Sequence, residues 1–212
     1  MLFEAFVVVF LGLSGIEAGP QRLEGKKNPN KRQDNNTIQQ NVIKLLQNDS
    51  IIGLALISYN ISDVPCKCLR SRLVQTIEGG AVRSWECYIN GTSEYPSELL
   101  KRKTNVTTTV SLSTTHKYPL FNASNAEGEL LKRWDENYDV IFATKSCFVL
   151  KFTGDNVSHP DHPTCIGLSI YKKPRHCVEF FVDNCQRATL VNYTQCDQFD
   201  EEMRQRNKKT GC

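Results

Sequence analysis

Cysteine content constrains this chain more than any other feature of its sequence. The 212 residues include nine cysteines, and none of them lies in the first 18 residues. In an oxidising compartment, a chain with this many cysteines usually carries a framework of disulfide bonds. The odd number leaves one thiol free or available to another chain. The nine positions are Cys66, Cys68, Cys87, Cys147, Cys165, Cys177, Cys185, Cys196 and Cys212.

The N-terminus indicates that the chain is exported into such a compartment. Residues 6–11 form an apolar run, FVVVFL, and small residues follow it up to Ala18. The run is shorter than the roughly 20 apolar residues that a membrane-spanning helix needs. This layout is typical of a secretory signal peptide, although a buried strand or helix is the alternative. We therefore expect residues 1–18 to be removed and the mature protein to be secreted, extracellular and without a membrane anchor.

Sequons for N-linked glycosylation support the same interpretation. The pattern Asn-x-Ser/Thr has a structural meaning only if the chain enters the secretory pathway. Eight sequons are scattered along the chain, which predicts a glycoprotein with these asparagines at its surface. They are Asn35, Asn48, Asn60, Asn90, Asn105, Asn122, Asn156 and Asn192.

Charge excludes one class of partner. The chain has 26 basic and 23 acidic residues, a net charge of +3, and this bias is too weak to indicate nucleic-acid binding. Several of the basic residues lie within residues 19–36, among Asn, Gly, Pro and Gln. That composition predicts a solvated, flexible arm rather than a heparin or membrane patch.

The middle of the chain predicts one helix and then a series of strands. Residues 37–46 have apolar side chains at spacings of three and four, with Thr37 as a plausible N-cap, which predicts a short amphipathic helix. About eight short strands follow at hairpin spacing, and Asn90-Gly91 is a strong hairpin signal. The predicted strands cover residues 51–59, 68–77, 81–89, 105–114, 117–121, 138–144, 147–152 and 165–171.

The C-terminal part changes character. Residues 177–190 have apolar side chains at helical spacing, although part of the segment is also compatible with a strand. Residues 198–212 are charged, and we expect them to be a loose tail. The order of elements suits an eight-stranded antiparallel up-and-down barrel over residues 37–197 that holds one small ligand, with a β-sandwich as the competing fold.

Catalytic and metal chemistry find little support in the sequence. His159 and His162 lie in a Pro-rich segment that reads as an exposed loop. Cys66 and Cys68 do not have the spacing of a zinc site, and no second close pair completes one. The sequence contains no Gly-x-Ser-x-Gly motif and no catalytic cysteine signature. We therefore predict a binding protein rather than an enzyme, with no cofactor.

Trp85, Asp139 and Ile141 are the candidate ligand-binding residues. Trp85 alternates with Arg83 and Cys87 on one face of a predicted strand, where an inward aromatic side chain either fills the core or stacks on a ligand. Asp139 lies with Ile141 inside an apolar strand, or else at the wet end of that strand. A buried carboxylate needs a partner because an unpaired buried charge is costly, and a protonated amine ligand would supply one.

The C-terminal half also resembles a known family. The segment 138–150, YDVIFATKSCFVL, together with Cys165-x-x-Leu168, the segment 177–181, CVEFF, and the segment 193–196, YTQC, is similar to the salivary lipocalins of ticks, the histamine-binding protein family. The resemblance covers about residues 37–197. It implies an eight-stranded barrel with an N-terminal and a C-terminal helix, and disulfides Cys147–Cys177 and Cys68–Cys196, with Cys66 as the less favoured partner of Cys196.

The resemblance also implies a function. Such proteins sequester host mediators, which are amines such as histamine and serotonin or lipids such as leukotrienes, and some bind host plasma proteins such as complement instead. Asp139 matches one acidic position of the amine-binding members. Two other positions depart from the pattern, because residues 39–42 (QQNV) replace an Asp-x-Trp motif and residues 167–169 (GLS) replace a Glu-Leu-Trp motif. A lipid ligand is therefore at least as compatible with this sequence as an amine.

Overall fold

The strands and helices can be traced in a computed structural model, which describes residues 33–58, 67–90, 99–124, 137–152 and 163–210. We number the elements in chain order. The helices are α1 (Asn35–Leu46), α2 (Arg175–Asn184) and α3 (Tyr193–Thr210). The strands are β1 (Ile52–Ser58), β2 (Lys67–Ile77), β3 (Gly80–Asn90), β4 (Leu99–Ser111), β5 (Leu120–Ser124), β6 (Tyr138–Ala143), β7 (Cys147–Phe152), β8 (Cys165–Ile170) and β9 (Ala188–Leu190).

The strands form one antiparallel sheet that closes into a ring. Each strand from β2 to β7 pairs with the next along the chain, β8 pairs with β1, and β1 pairs with β2. β9 is a short ninth strand that pairs only with the second half of β1. The predicted order of about eight antiparallel strands is therefore confirmed. Because all the described strands belong to this single sheet, they do not form the alternative sandwich.

The seam between β1 and β2 is short. Only Ile52 and Gly53 of β1 pair with β2, and residues 56–58 then pair with β9 along the same edge. Gly53 permits the close approach, since a Cβ atom there would lie 3.1 Å from the carbonyl oxygen of Leu69 and 2.9 Å from the ring of Tyr171. β9 therefore pairs with the same edge of β1 beyond the point where the pairing of β1 with β2 ends.

Helix α1 covers one end of the ring. Its side-chain amides donate to main-chain oxygens at the ends of the strands. Gln39 reaches Val110 at 3.2 Å and Asn41 reaches Ala143 at 3.1 Å, and Gln47, the C-cap that follows the helix, reaches Gly80 at 3.1 Å. The connections at the opposite end, between β1 and β2, β3 and β4, β5 and β6, and β7 and β8, lie outside the described residues. The apolar side of α1 is buried in the ring: Ile38, Val42, Leu45 and Leu46.

The start of α1 corrects the sequence prediction. The N-cap is Asp34 rather than Thr37, since the Asp34 carboxylate accepts a hydrogen bond of 2.9 Å from the main-chain N–H of Thr37. A carboxylate at this position also interacts favourably with the positive end of the helix dipole. The helix therefore begins at Asn35, about one turn earlier in the chain than the apolar periodicity indicates.

The outer face of β7 and β8 is covered by α2, which two disulfides fix. Cys147 of β7 is bonded to Cys177, and Cys165 of β8 is bonded to Cys185, which follows the helix. The sequence left the partners of Cys165 and Cys185 open. Phe181 of α2 is fully buried against this part of the sheet.

The C-terminal residues are more ordered than we expected. The last residues of the helix predicted over 177–190 form the strand β9 instead. Most of residues 198–212, which we expected to be a loose tail, belong to α3, which extends to Thr210. The Cys68–Cys196 disulfide ties α3 to β2. Cys87 is also disulfide-bonded, and its partner is not among the described residues. No helix in the described ranges combines the length and the apolar character needed to cross a bilayer.

Several strand boundaries also differ from the prediction, and β5 lies three residues later in the chain than expected. A two-residue hairpin at Asn90-Gly91 is ruled out because β3 ends at Asn90 and β4 begins only at Leu99. β4 starts six residues earlier than predicted because Lys101, Arg102 and Lys103 belong to the strand. Their charge resembles that of a loop, but Lys101 and Lys103 lie on the outer side of the sheet, where charge is compatible with a strand that has one solvated face.

Candidate functional site

The interior of the ring is the candidate binding site, and its α1 end is almost filled by side chains. The void that remains there has a volume of about 10 Å³, which is near the lower limit of roughly 10–15 Å³ that a cavity needs to hold one water molecule. The lining is mostly apolar and aromatic. It consists of Leu46, Ile52, Leu69, Ser71, Arg83, Trp85, Thr108, Phe121, Phe148 and Leu168.

Arg83 is the charged group in this lining, and it is completely buried. Its guanidinium donates to the main-chain oxygens of Leu46 at 2.5 Å, Asn48 at 2.9 Å and Ser50 at 2.8 Å. It also donates to the side-chain and main-chain oxygens of Ser71, at 3.0 and 3.2 Å. Burial lowers the pKa of Arg83 to about 10, so the group remains cationic at neutral pH.

These contacts give Arg83 a structural role rather than a role in binding a ligand. Leu46 is the last residue of α1, and carbonyl oxygens at a helix C-terminus carry partial negative charge. The guanidinium satisfies oxygens that would otherwise be buried without a donor. Arg83 therefore attaches the C-terminal end of α1 to β2 and β3 on the inside of the ring.

Trp85 faces the interior of the ring, where the sequence analysis expected an aromatic side chain that fills the core or stacks on a ligand. Its side chain is 4% exposed and lines the void together with Phe121 and Phe148. The hydroxyl of Thr108, another polar group of the lining, donates to the main-chain oxygen of Ala81 at 2.8 Å. Among the described residues that line this void there is no carboxylate.

Asp139 lies on the other face of its strand. Tyr138 and Val140 belong to the interior cluster, so alternation along β6 directs Asp139 to the outer face of the ring. Its Oδ1 is 3.6 Å from Nδ1 of His116, and Lys151 is its cross-strand neighbour. Burial raises the pKa of Asp139, and Lys151 and His116 offset part of that rise.

Ile141 also lies away from the void. It packs against the outer cluster beneath α2, which includes Phe181 and the Cys147–Cys177 disulfide. Among the three candidate ligand-binding residues, only Trp85 lines the interior void. The structure therefore does not bring Trp85, Asp139 and Ile141 together at one site.

An aromatic column inside the ring was missing from the sequence prediction. The Phe148 ring lies 5.6 Å from that of Phe121, Phe121 lies 6.4 Å from Tyr138, and Tyr138 makes an edge contact with Phe152 at 5.0 Å. Tyr138 begins β6 and Phe152 ends β7, so the column extends to the ring end opposite α1. Alternation within 147–152 carried a signal for it, since Phe148, Leu150 and Phe152 share one face.

The predicted glycosylation sites fall into different environments. Asn48, Asn105 and Asn192 are exposed, whereas Asn35 and Asn122 are half-buried and their amides donate to Lys117 and Asn137. Asn60 and Asn156, like the side chain of Asn90, lie outside the described residues. His159 and His162 do as well, and within the described ranges no three His, Cys, Asp or Glu side chains are grouped as metal ligands.

Comparison with known proteins gives a likeness of fold. No protein-family model matches the sequence, and no curated protein matches it. A solved structure that does match is Japanin from Rhipicephalus appendiculatus bound to cholesterol, with a TM-score of 0.51 and 13% sequence identity. The match covers 69% of this chain and 94% of that chain. The closed antiparallel ring with its helices is therefore a fold that this protein shares with Japanin.

Proposed function

We propose that this protein is a secreted, lipocalin-like binding protein that holds a small lipid inside its ring of strands. The observation that carries the proposal is the lining of the interior, which is apolar and aromatic and whose charged group is the cation Arg83. The resemblance to tick salivary lipocalins supports a host mediator as the ligand. Its removal by the protein would dampen host inflammation.

The electrostatics of the interior favour a lipid over histamine or serotonin. A protonated amine taken out of water needs a carboxylate or several acceptor groups, because an unpaired buried charge is costly. The lining residues that the structure describes include no carboxylate, and Asp139 lies on the outer face of the ring. A positive charge on Arg83 would further repel an ammonium group.

The likeness to Japanin supports the class of ligand. That protein was solved with cholesterol bound, and it shares the ring of strands with this chain at the level of fold. Small-molecule sites are usually apolar cavities of about 300–1,000 Å³ with a few polar groups. A sterol or an eicosanoid fits that chemistry in a ring whose inner surface is mainly Leu, Ile, Phe and Trp.

The small void requires the interior to open when a ligand binds. Since α1 closes one end, a ligand would reach the interior from the opposite end, along the column that begins at Tyr138 and Phe152. Rotation of Phe121 and Phe148 would enlarge the void next to Trp85. Binding should therefore change the environment of the Trp85 indole.

Fluorescence titration tests this proposal directly. A Trp134→Phe background leaves Trp85 as the tryptophan reporter, because the sequence contains two tryptophans. We expect cholesterol, a long-chain fatty acid or a leukotriene to shift the Trp85 emission saturably, and histamine and serotonin to leave it unchanged. Native mass spectrometry of the same samples measures the mass of the bound lipid.

A substitution that fills the void provides the matched control. Leu168→Phe adds volume within the lining and should weaken lipid binding at least tenfold, whereas Val74→Phe adds the same kind of ring at an exposed position of β2 and should not. Saturable binding of an amine, or the absence of any lipid signal by both methods, would contradict the proposal.

The near-filled interior favours a second candidate, in which the ring is a scaffold that binds a host plasma protein such as a complement component. In that case the binding surface lies outside the ring, and Leu168→Phe would leave binding unaffected. Surface plasmon resonance with purified complement components, comparing the parent protein and Leu168→Phe, separates the two functions.

A further inference from the structure

A charged groove lies on the outside of the ring, far from the interior void. It is formed by the outer face of β2, β3 and β4 and by α3, and it has a volume of about 730 Å³. Five basic and two acidic side chains line it, together with Met203. The groove thus concentrates an excess of three positive charges, in a chain whose whole net charge is +3. We call it the α3 groove.

Two of the basic residues are used to hold α3 in place. Arg70 Nη2 lies 2.6 Å from Oδ2 of Asp200, and Arg70 Nε lies 3.8 Å from Glu86. Lys101 Nζ is 3.5 Å from both Glu86 and Asp200. The hydroxyl of Tyr88 donates a short hydrogen bond to Asp200. The two carboxylates are therefore neutralised by Arg70 and Lys101.

The remaining cations are available to a ligand. Arg72 and Lys103 are exposed, and neither forms an ion pair with another described residue. Arg204 is exposed on α3 and its partner at 3.1 Å, Glu201, is also exposed, which makes the pair weak. Arg72, Lys103 and Arg204 thus line one groove with little local compensation of their charge.

The spacing of these cations suits an extended anion. In the sheet register, Arg72 of β2 lies opposite Ser84 on β3, and Lys103 of β4 lies opposite Glu86 on β3. Arg72 and Lys103 are therefore separated by two strand spacings across the sheet and by two residues along the strand direction. Strand separations of about 4.8 Å and a rise of about 3.3 Å per residue place their Cα atoms about 12 Å apart. A single phosphate or sulfate does not span that distance at the backbone level, whereas a chain with repeated anionic groups does.

We propose that the α3 groove binds a sulfated polysaccharide of the glycosaminoglycan class. Arginine and lysine side chains recognise sulfate groups by charge-assisted hydrogen bonds, and an open groove lets a chain pass through. The Cys68–Cys196 disulfide and the Asp200 network hold the groove in shape before a ligand arrives, which lowers the entropy lost on binding. Such binding would retain the exported protein near cell surfaces and matrix.

Heparin is the probe that tests the proposal. The Arg72→Ala/Lys103→Ala double variant should bind immobilised heparin at least tenfold more weakly than the parent protein. By counterion release, the loss of two cationic contacts should also lower the slope of log affinity against log salt by about one to two. Because both side chains are exposed, thermal unfolding should be unchanged, which separates lost binding from lost folding.

Two charge-matched double variants complete the design. Lys145→Ala/Lys173→Ala removes two exposed lysines outside the groove, and Lys26→Ala/Lys27→Ala removes two lysines near the N-terminus. Both should retain heparin affinity within about twofold of the parent. An equal loss in either control, or heparin affinity unchanged in the groove variant, would overturn the proposal.

Chain length and anion type provide the final comparison. Inorganic sulfate should compete only weakly, and competition should strengthen from heparin disaccharide to longer fragments. Binding to phosphatidylserine vesicles without binding to heparin would assign the cations to a membrane surface and overturn the polysaccharide assignment.

Discussion

Nη1 of Arg83 lies 2.5 Å from the main-chain oxygen of Leu46, which joins the inside of the ring to the last residue of the helix that covers it. The same guanidinium reaches the main-chain oxygens of Asn48 and Ser50. One side chain of β3 therefore fixes the turn between α1 and β1. This buried cation therefore adds to the apolar side and the side-chain amides of α1 in holding the helix over this end of the ring.

Arg83→Met should destabilise the fold strongly. The substitution keeps a similar length but removes every donor, and a buried carbonyl left without a donor costs about 1–3 kcal/mol. We expect a loss of about 3 kcal/mol or more in the free energy of unfolding, measured by chemical denaturation. Arg72→Met on the exposed face should change it by about 0.5 kcal/mol or less. A loss below about 1 kcal/mol at position 83 would mean that the side-chain amides of α1 suffice to hold the helix.

Asp139→Asn should leave ligand binding unchanged. The carboxylate lies on the outer face beside His116, so it does not contact a molecule inside the ring. Lipid titrations of Asp139→Asn and of the parent protein should superimpose. A loss of amine or lipid affinity in this variant would place the ligand outside the interior that we describe.

Acid should weaken the attachment of α3 through Asp200. Burial alone would raise the pKa of Asp200. Hydrogen bonds from Tyr88 and Arg70 outweigh that effect, so the pKa lies below its usual value of 3.8. The stabilising effect of this carboxylate is therefore complete above pH 3.8 and is lost as the pH falls through the lower folded-state pKa. Unfolding midpoints from pH 6 to pH 2 should fall more steeply for the parent protein than for Asp200→Asn.

The three described disulfides should differ in their contribution to stability. They close loops with sequence separations of 128, 30 and 20 residues, for Cys68–Cys196, Cys147–Cys177 and Cys165–Cys185. The chain-entropy relation gives contributions of about 5, 3.5 and 3 kcal/mol in that order. Paired Cys→Ser variants, compared by denaturation without reductant, measure that order. If the Cys68–Cys196 pair proved the least stabilising, α3 would be held mainly by the Asp200 network.

Where one face of an element is solvated, the sequence predicted the structure well. The apolar stripe that the sequence predicts for α1 is the one that is buried. Alternation also placed Arg83 and Trp85 together on the inner face of β3. In each case the period of the apolar side chains matched a single buried face.

The orientation of Asp139 could not be predicted in the same way. Its strand is buried on both faces, by the ring interior on one side and by the α2 cluster on the other. A strand with two buried faces has apolar residues throughout, so alternation no longer indicates which side chains point inward. The acidic residue was therefore compatible with either face until the pairing of β6 with β5 and β7 was known.

Helix α3 was missed for a different reason. Its many charged residues resemble a disordered tail, yet Cys196, Phe199 and Met203 follow a spacing of three and four and pack against Tyr88. The contacts that hold this stripe come from β2 and β3, more than 100 residues earlier in the chain. Local composition carries no information about contacts of that range.

The short strand β9 has a consequence for how molecules of this protein meet one another. An uncovered strand edge offers a row of free main-chain donors and acceptors, onto which a neighbouring polypeptide can add. Here β1 would present such a row beyond Gly53, where its pairing with β2 stops, but β9 occupies it at residues 56–58. The outer edge at this point is therefore that of a strand of three residues, and so short an edge strand gives a neighbouring polypeptide little to pair with.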